Sequence, residues 1–241
     1  MNRFLRAVLV VTAYEFVDSL RSRRALMILI LYAAMAVLTT NSAINVLQKV
    51  EEELSGALQL DQPSAAGTVS SSIWKSPRFR RIVARAVGDD SLVNDLVGTP
   101  PIVLIYGGLA FFYTPLLVML IGSTRVSEEL ASGSARYPLQ RTSRLAWSLG
   151  KWLGQASLVG VALLVGGLGA WIVAILRMAA TEGPEVVVGM LITALRTWIY
   201  SLAFVGVAVG ASHCLRSPGR ATALAMLGMV ALSVVFWLGE I

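Results

Sequence analysis

Five stretches of the chain run for roughly 20 residues with almost no charge, and short charged segments separate them. The first, 25–47, reads ALMILILYAAMAVLTTNSAINVL and follows abruptly on Arg21, Arg23 and Arg24. The others are 101–122, 149–176, 186–215 and 221–238. A bilayer core of about 30 Å is crossed by roughly 20 apolar helical residues, so each stretch suits one span. The strict ten-residue alternation of a membrane barrel is missing, and helices alone then satisfy every backbone polar group in lipid. The pattern predicts an all-α polytopic membrane protein with about five transmembrane helices.

Composition agrees with that pattern. Of 241 residues 56% are apolar and 14% charged, and the mean hydropathy is +0.72. Soluble domains carry about 45–50% apolar and about 25% charged residues. The net charge of +6 does not point to nucleic acid, because no basic domain stands clear of the lipid. It points to orientation. Arg3, Arg6, Arg21, Arg23 and Arg24 precede the first span, and Arg125, Arg136, Arg141 and Arg144 fill the segment 123–148. Arg216 and Arg220 lie between the last two spans, whereas Glu182 and Glu185 lie between the third and fourth. Cytoplasmic loops are the ones rich in Lys and Arg, so the N-terminus is expected in the cytoplasm and the C-terminus outside.

Residues 1–24 begin like a signal peptide, but the apolar core is short and Glu15 and Asp18 interrupt it. The better reading is an amphipathic helix in the cytoplasmic interface. Phe4, Leu5, Val8, Leu9, Phe16 and Leu20 would face lipid, while Arg3, Arg6, Glu15 and Asp18 face water. Residues 48–100 are the one sizeable extracytoplasmic segment. Gln48–Leu60 reads as helix prolonging the first span, 61–72 as a loop, and 76–87 as a short basic helix. Arg78, Arg81 and Arg85 share a face there, fit for headgroups or for an extracytoplasmic partner.

Catalytic chemistry has little to stand on. His213 is the one histidine, no phosphate-binding G-x-x-x-x-G-K-[ST] run occurs, and Gly150-Lys151-Trp152 only grazes it. Cys214 is the one cysteine, which excludes an intrachain disulfide and a cysteine metal cluster, and it reads as a small packing residue. The chain is expected to be no enzyme and to hold no metal or cofactor. Gly150 with Gly154, and Gly206 with Gly210, have the spacing that lets helices approach closely, inside one subunit or between two. Arg196 is a charge deep in an apolar run. Either it snorkels to the outer boundary with Trp198 and Tyr200 beside it, or it meets an anionic substrate or an internal partner.

The cytoplasmic run RVSEELASGSARYPLQRTSRLAWSLGKWLG, 125–154, places an acidic pair before Gly133-Ser134, then a short segment, Ser143-Arg144 and Gly150-Lys151. That order resembles the permeases of ABC type-2 exporters. The opening AYEFVDSLRSRRALMILILYA, 13–33, and the loop 212–220 are similar to the same family. The resemblance implies a coupling helix that docks on an ATPase subunit, with Glu128, Glu129, Gly133, Arg136, Arg141, Ser143 and Arg144 as candidates. It implies an elbow of Glu15, Arg21, Arg23 and Arg24, a second permease copy, and two ATPase subunits that carry ATP and Mg. The expected place is a bacterial cytoplasmic (inner) membrane, and the expected direction is export. Two features depart from the family: it usually has six spans, and its Pro before Ser-Arg is replaced by Thr142 or displaced to Pro138.

The rival reading is a membrane scaffold or regulator without ATPase contact. A secondary transporter comes third, since the spans carry no carboxylate for a coupling ion. Loop charge makes one direct prediction. With Cys214 replaced, Ser134→Cys and Ser217→Cys should be shielded in intact cells from an impermeant thiol reagent, and Ser71→Cys labelled. Labelling of position 134 from outside would invert the orientation.

Overall fold

A computed structural model describes residues 2–57, 99–178 and 184–238. The basic segment with Arg78, Arg81 and Arg85 lies outside them. The described residues contain helices and no strand: α1 (Arg3–Arg21), α2 (Arg23–Ala57), α3 (Pro101–Gly122), α4 (Arg125–Ser132), α5 (Arg136–Arg141), α6 (Arg144–Arg177), α7 (Pro184–Cys214) and α8 (Pro218–Leu238). Among the described residues five helices are long and apolar enough to cross a membrane: α2, α3 with α4, α6, α7 and α8. Large apolar side chains stay exposed along them, such as Met27, Ile30, Leu168, Leu176 and Leu227. A contiguous apolar surface of this extent suits lipid and not water. The protein is an all-α polytopic membrane protein.

Two compact units divide the chain. One holds Met1–Tyr32, Phe111–Leu163 and Leu195–Ile241, the other Ala33–Ala110 and Leu164–Ala194. In the second unit Ile44, Ile102, Tyr106, Ala110, Ala170 and Ala174 are buried, large beside small. A Cβ at Gly167 would stand 3.2 Å from the Tyr106 ring, and one at Gly189 3.0 Å from Val103. Arg177 donates to the side-chain oxygens of Asn41 (2.5 Å), Asn45 (2.8 Å) and Gln48 (3.1 Å), three positions along one face of α2. α2 continues through the predicted helical start of 48–60 as far as Ala57.

The first unit explains α1. Ser22 ends it, donating its backbone N–H to Asp18 O at 3.0 Å, while its side chain accepts from Ala25 N at the start of α2. Leu5 and Leu9 are exposed as expected of an interfacial helix, and so are Arg3, Arg6 and Asp18. Two expectations fail. Val8 is buried instead of facing lipid, and Glu15 is 2% exposed instead of facing water. The cause is α6: a Cβ at Gly150 would lie 2.6 Å from Val11 Cβ, and one at Gly154 2.8 Å from Glu15 Cβ. The two glycines remove the side chains that would hold the helices apart, so α1 lies directly on α6.

Gly206 and Gly210 share that spacing but not that use. A Cβ at Gly210 meets nothing within 4 Å. Gly150→Val should therefore lower thermal stability in detergent by about 1–3 kcal/mol, the usual cost of overpacking. Gly210→Ala should stay within about 0.5 kcal/mol of the parent. Equal melting shifts for the two would refute the close approach of α1 and α6.

Candidate functional site

Beside the glycine contact, α6 presents Lys151 and Gln155 to α1. Lys151 Nζ donates to Glu15 Oε2 at 2.6 Å and to Glu129 Oε1 at 2.7 Å, so one ammonium serves carboxylates from α1 and α4. Gln155 Nε2 donates to Glu15 Oε1 at 2.8 Å and to Ser19 Oγ at 3.2 Å. Side-chain exposures are 3% for Lys151, 2% for Glu15 and 26% for Glu129. Nζ also stands 5.5 Å from the centre of the Trp147 ring, within cation–π reach. The point where two carboxylates converge, which elsewhere would suit a metal ion, is filled by the lysine ammonium.

A buried ion pair adds little net stability, because desolvation offsets most of the attraction. Removing one partner is different, since it strands a buried charge. The cluster thus fixes which three helices meet and in what register. Two more pairs run alongside, exposed Asp18 to largely covered Arg125 at 3.4 Å and exposed Arg24 to exposed Glu128 at 3.5 Å. Each is worth no more than about 1 kcal/mol.

Above the cluster the chain turns a tight corner. The first N–H groups of α4 have no partner within their own helix. Ser212 of α7 supplies one: its buried Oγ accepts from Val126 N at 3.0 Å and Ser127 N at 2.9 Å. Ser123 Oγ and Thr222 Oγ1 of α8 lie 2.9 Å apart. Gly133 ends α4 at φ 75°, the left-handed region that favours glycine. α5 then presents Arg136, Tyr137, Gln140 and Arg141 outward and buries none of its residues. Pro138 is tolerated in it because first-turn N–H groups bond nothing inside the helix. Thr142 closes α5 by donating its N–H (2.9 Å) and hydroxyl (2.8 Å) to Pro138 O. Ser143 opens α6, its Oγ accepting from Ala146 N at 3.2 Å.

A comparison with known families decides what this scaffold is. The family described as ABC-2 family transporter protein matches residues 9–239. The chain belongs to that family. No curated protein and no solved structure matches it. As an ABC-2 family member it is a multi-pass membrane component of a transport system.

The residues singled out from sequence in this ABC-2 chain fall into three groups. Arg136, Arg141 and Arg144 are exposed at or beside the corner. Gly133, half-buried, turns the chain there, and exposed Ser143 caps α6. Glu128 is exposed and bound to Arg24, but Glu129, expected at the surface with it, points inward to Lys151. Of the elbow residues Arg21, Arg23 and Arg24 are exposed and Glu15 is buried. Arg196 is exposed and makes no ion pair among the described residues. Trp198, close by in the chain, donates its Nε1–H to Ala156 O at 2.7 Å. Cys214 is exposed at the end of α7 and is not a packing residue.

Sequence reasoning missed Lys151, Gln155, Ser19 and Ser212. The signal for Lys151 was its place between Gly150 and Gly154, where a close helix approach needs a counter-charge. Lys151→Met should destabilise the purified protein by about 3–5 kcal/mol, because Glu15 and Glu129 are left facing each other. Adding Glu15→Gln should restore part of that loss. A single mutant that melts like the parent would show that the cluster carries no structural weight.

Proposed function

We propose that the chain is the permease subunit of an ATP-driven exporter, with the α4–α5 corner as the surface that takes up motion from a separate ATPase. In this reading two permease copies pair with two ATPase subunits in a bacterial cytoplasmic membrane, N-termini inside. ATP and Mg belong to the partners. Closure of the ATPase pair pushes on α5, and the permease supplies the path and the coupling. Export as the direction comes from family likeness.

The observation that carries the proposal is the contrast at the corner. α5 buries none of its own residues; Gly133 turns the chain into it from α4, and Thr142 closes it on Pro138 O just before α6 begins. A surface helix that leaves Arg136, Tyr137, Gln140 and Arg141 exposed between two spans suits contact with a soluble partner. Glu129 enters this reading as a positioning residue that ties α4 to Lys151, and Glu128 and the arginines as candidate contacts.

Arg136→Glu with Arg141→Glu should cut recovery of the ATPase on the tagged permease at least about tenfold, since charge reversal at an interface costs several kcal/mol. Melting should change little, because both arginines are exposed. A double mutant that still recovers its ATPase at the parental ratio would refute the assignment of α5. A parent that recovers no ATPase would favour the scaffold reading.

A further inference from the structure

The unpacked glycines of α7 belong to a groove. Leu145, Leu149 and Trp152 of α6 form one wall, and Gly206, Val209 and Gly210 of α7 form the floor and the other wall, around about 460 Å³ of open space. The groove is apolar along its length and polar at the end where Ser148 meets His213. There Ser148 Oγ lies 3.0 Å from His213 Nε2, and His213 Nδ1 lies 2.8 Å from Val209 O. A carbonyl oxygen only accepts, so Nδ1 carries the hydrogen. The groove exists because glycine stands where larger residues would fill it: a Cβ at Gly206 has its nearest neighbour at 3.8 Å, and one at Gly210 has none within 4 Å.

Two arginines stand close in the chain to the polar end. Arg144 lies four residues before Ser148, hence on the same face of α6 one turn closer to the corner. Arg216 follows two residues after the end of α7, three beyond His213. Both are exposed, and neither makes an ion pair among the described residues. Two exposed guanidinium groups, one turn from Ser148 and three residues from His213, would complement, at the mouth of an apolar slot, a ligand with an anionic head and a hydrocarbon tail. A second copy of this chain is the poorer occupant. Its helices would bring apolar side chains to the slot, but its nearby termini are themselves rich in arginine.

We infer that the groove between α6 and α7 is a binding site for one anionic phospholipid, an acyl chain lying over Gly206 and Gly210 and the phosphate between Arg144 and Arg216. Occupancy bears on the ion cluster, because His213 packs edge-on against Trp147 at 5.5 Å and Trp147 lies under Lys151. Placing the lipid in the cytoplasmic leaflet rests on the orientation proposed above. The binding itself does not.

The test is native mass spectrometry of the full-length purified chain, titrated in detergent with phosphatidylglycerol or phosphatidylcholine. The parent should hold one phosphatidylglycerol in preference to phosphatidylcholine. Arg144→Gln and Arg216→Gln should each lower that preference about fivefold, the effect of one basic residue at an anionic surface. Gly210→Leu enters open space, so it should fold normally and lose both lipids. Equal retention of the two lipids by the parent, or unchanged phosphatidylglycerol binding in all three variants, would overturn the proposal. So would efficient disulfide linkage of two chains through Gly206→Cys in a Cys214→Ser background, which would assign the groove to a second copy. Because the measurement is made in detergent, a reversed orientation in cells would overturn the leaflet and leave the site standing.

Discussion

An ammonium group held between two carboxylates in a nearly dry setting has no inexpensive way to move alone. If Lys151 swings away, buried Glu15 and half-buried Glu129 are left as like charges facing each other. If either glutamate leaves, the lysine keeps half its compensation and loses a short hydrogen bond. The low-energy motions available are those that carry α1, α4 and the start of α6 together. Everything else near the corner is subordinate to that constraint. The glycines at 150 and 154 bring the backbones close enough for the contact, Gln155 satisfies the second oxygen of Glu15, and the pairs at Asp18 and Arg24 trim the alignment.

The same constraint explains why a six-residue helix can exist at the corner. A helix this short is not stable by itself, because nucleation fixes several residues for one hydrogen bond. α5 persists because both flanks are held by other means. On one side Ser212 caps α4 from another helix and Gly133 reverses the chain. On the other, Thr142 and Ser143 close one helix and open the next. Pro138 and Leu139 are half-buried, but Arg136, Tyr137, Gln140 and Arg141 are exposed and free of structural duty, which is the condition for a surface to be shaped by a partner.

How much of this was readable in advance follows from the range of each interaction. The spans were legible because hydrophobicity summed over about 20 residues is a local property that no distant contact can reverse. The turn at Gly133-Ser134 was legible for the same reason. The docking of α1 was not. A helical wheel places Glu15 among polar positions, and nothing within a turn or two of it reveals that its partner lies 136 residues away. Glu129 was misread by the same logic, as one of two adjacent glutamates both offered to a partner from a helix end. Neighbours on a helix point about 100° apart, so an acidic pair almost always divides between two environments. Here Glu128 took the surface and Glu129 the interior.

The two glycine pairs sharpen the point, because identical spacing led to opposite outcomes. Gly150 and Gly154 carry an adjacent ammonium and amide, and the helix that answers them brings a carboxylate and a hydroxyl. Gly206 and Gly210 sit in a helix whose neighbouring positions are apolar, and among the described residues a Cβ at Gly206 would find only Trp152, at 3.8 Å, and one at Gly210 nothing within 4 Å. Small residues permit close approach, but they supply almost no energy for it in lipid, where association depends on packing and on polar groups that need partners. The polar neighbours therefore decide whether a pair of glycines becomes a joint within the chain or remains a vacant surface.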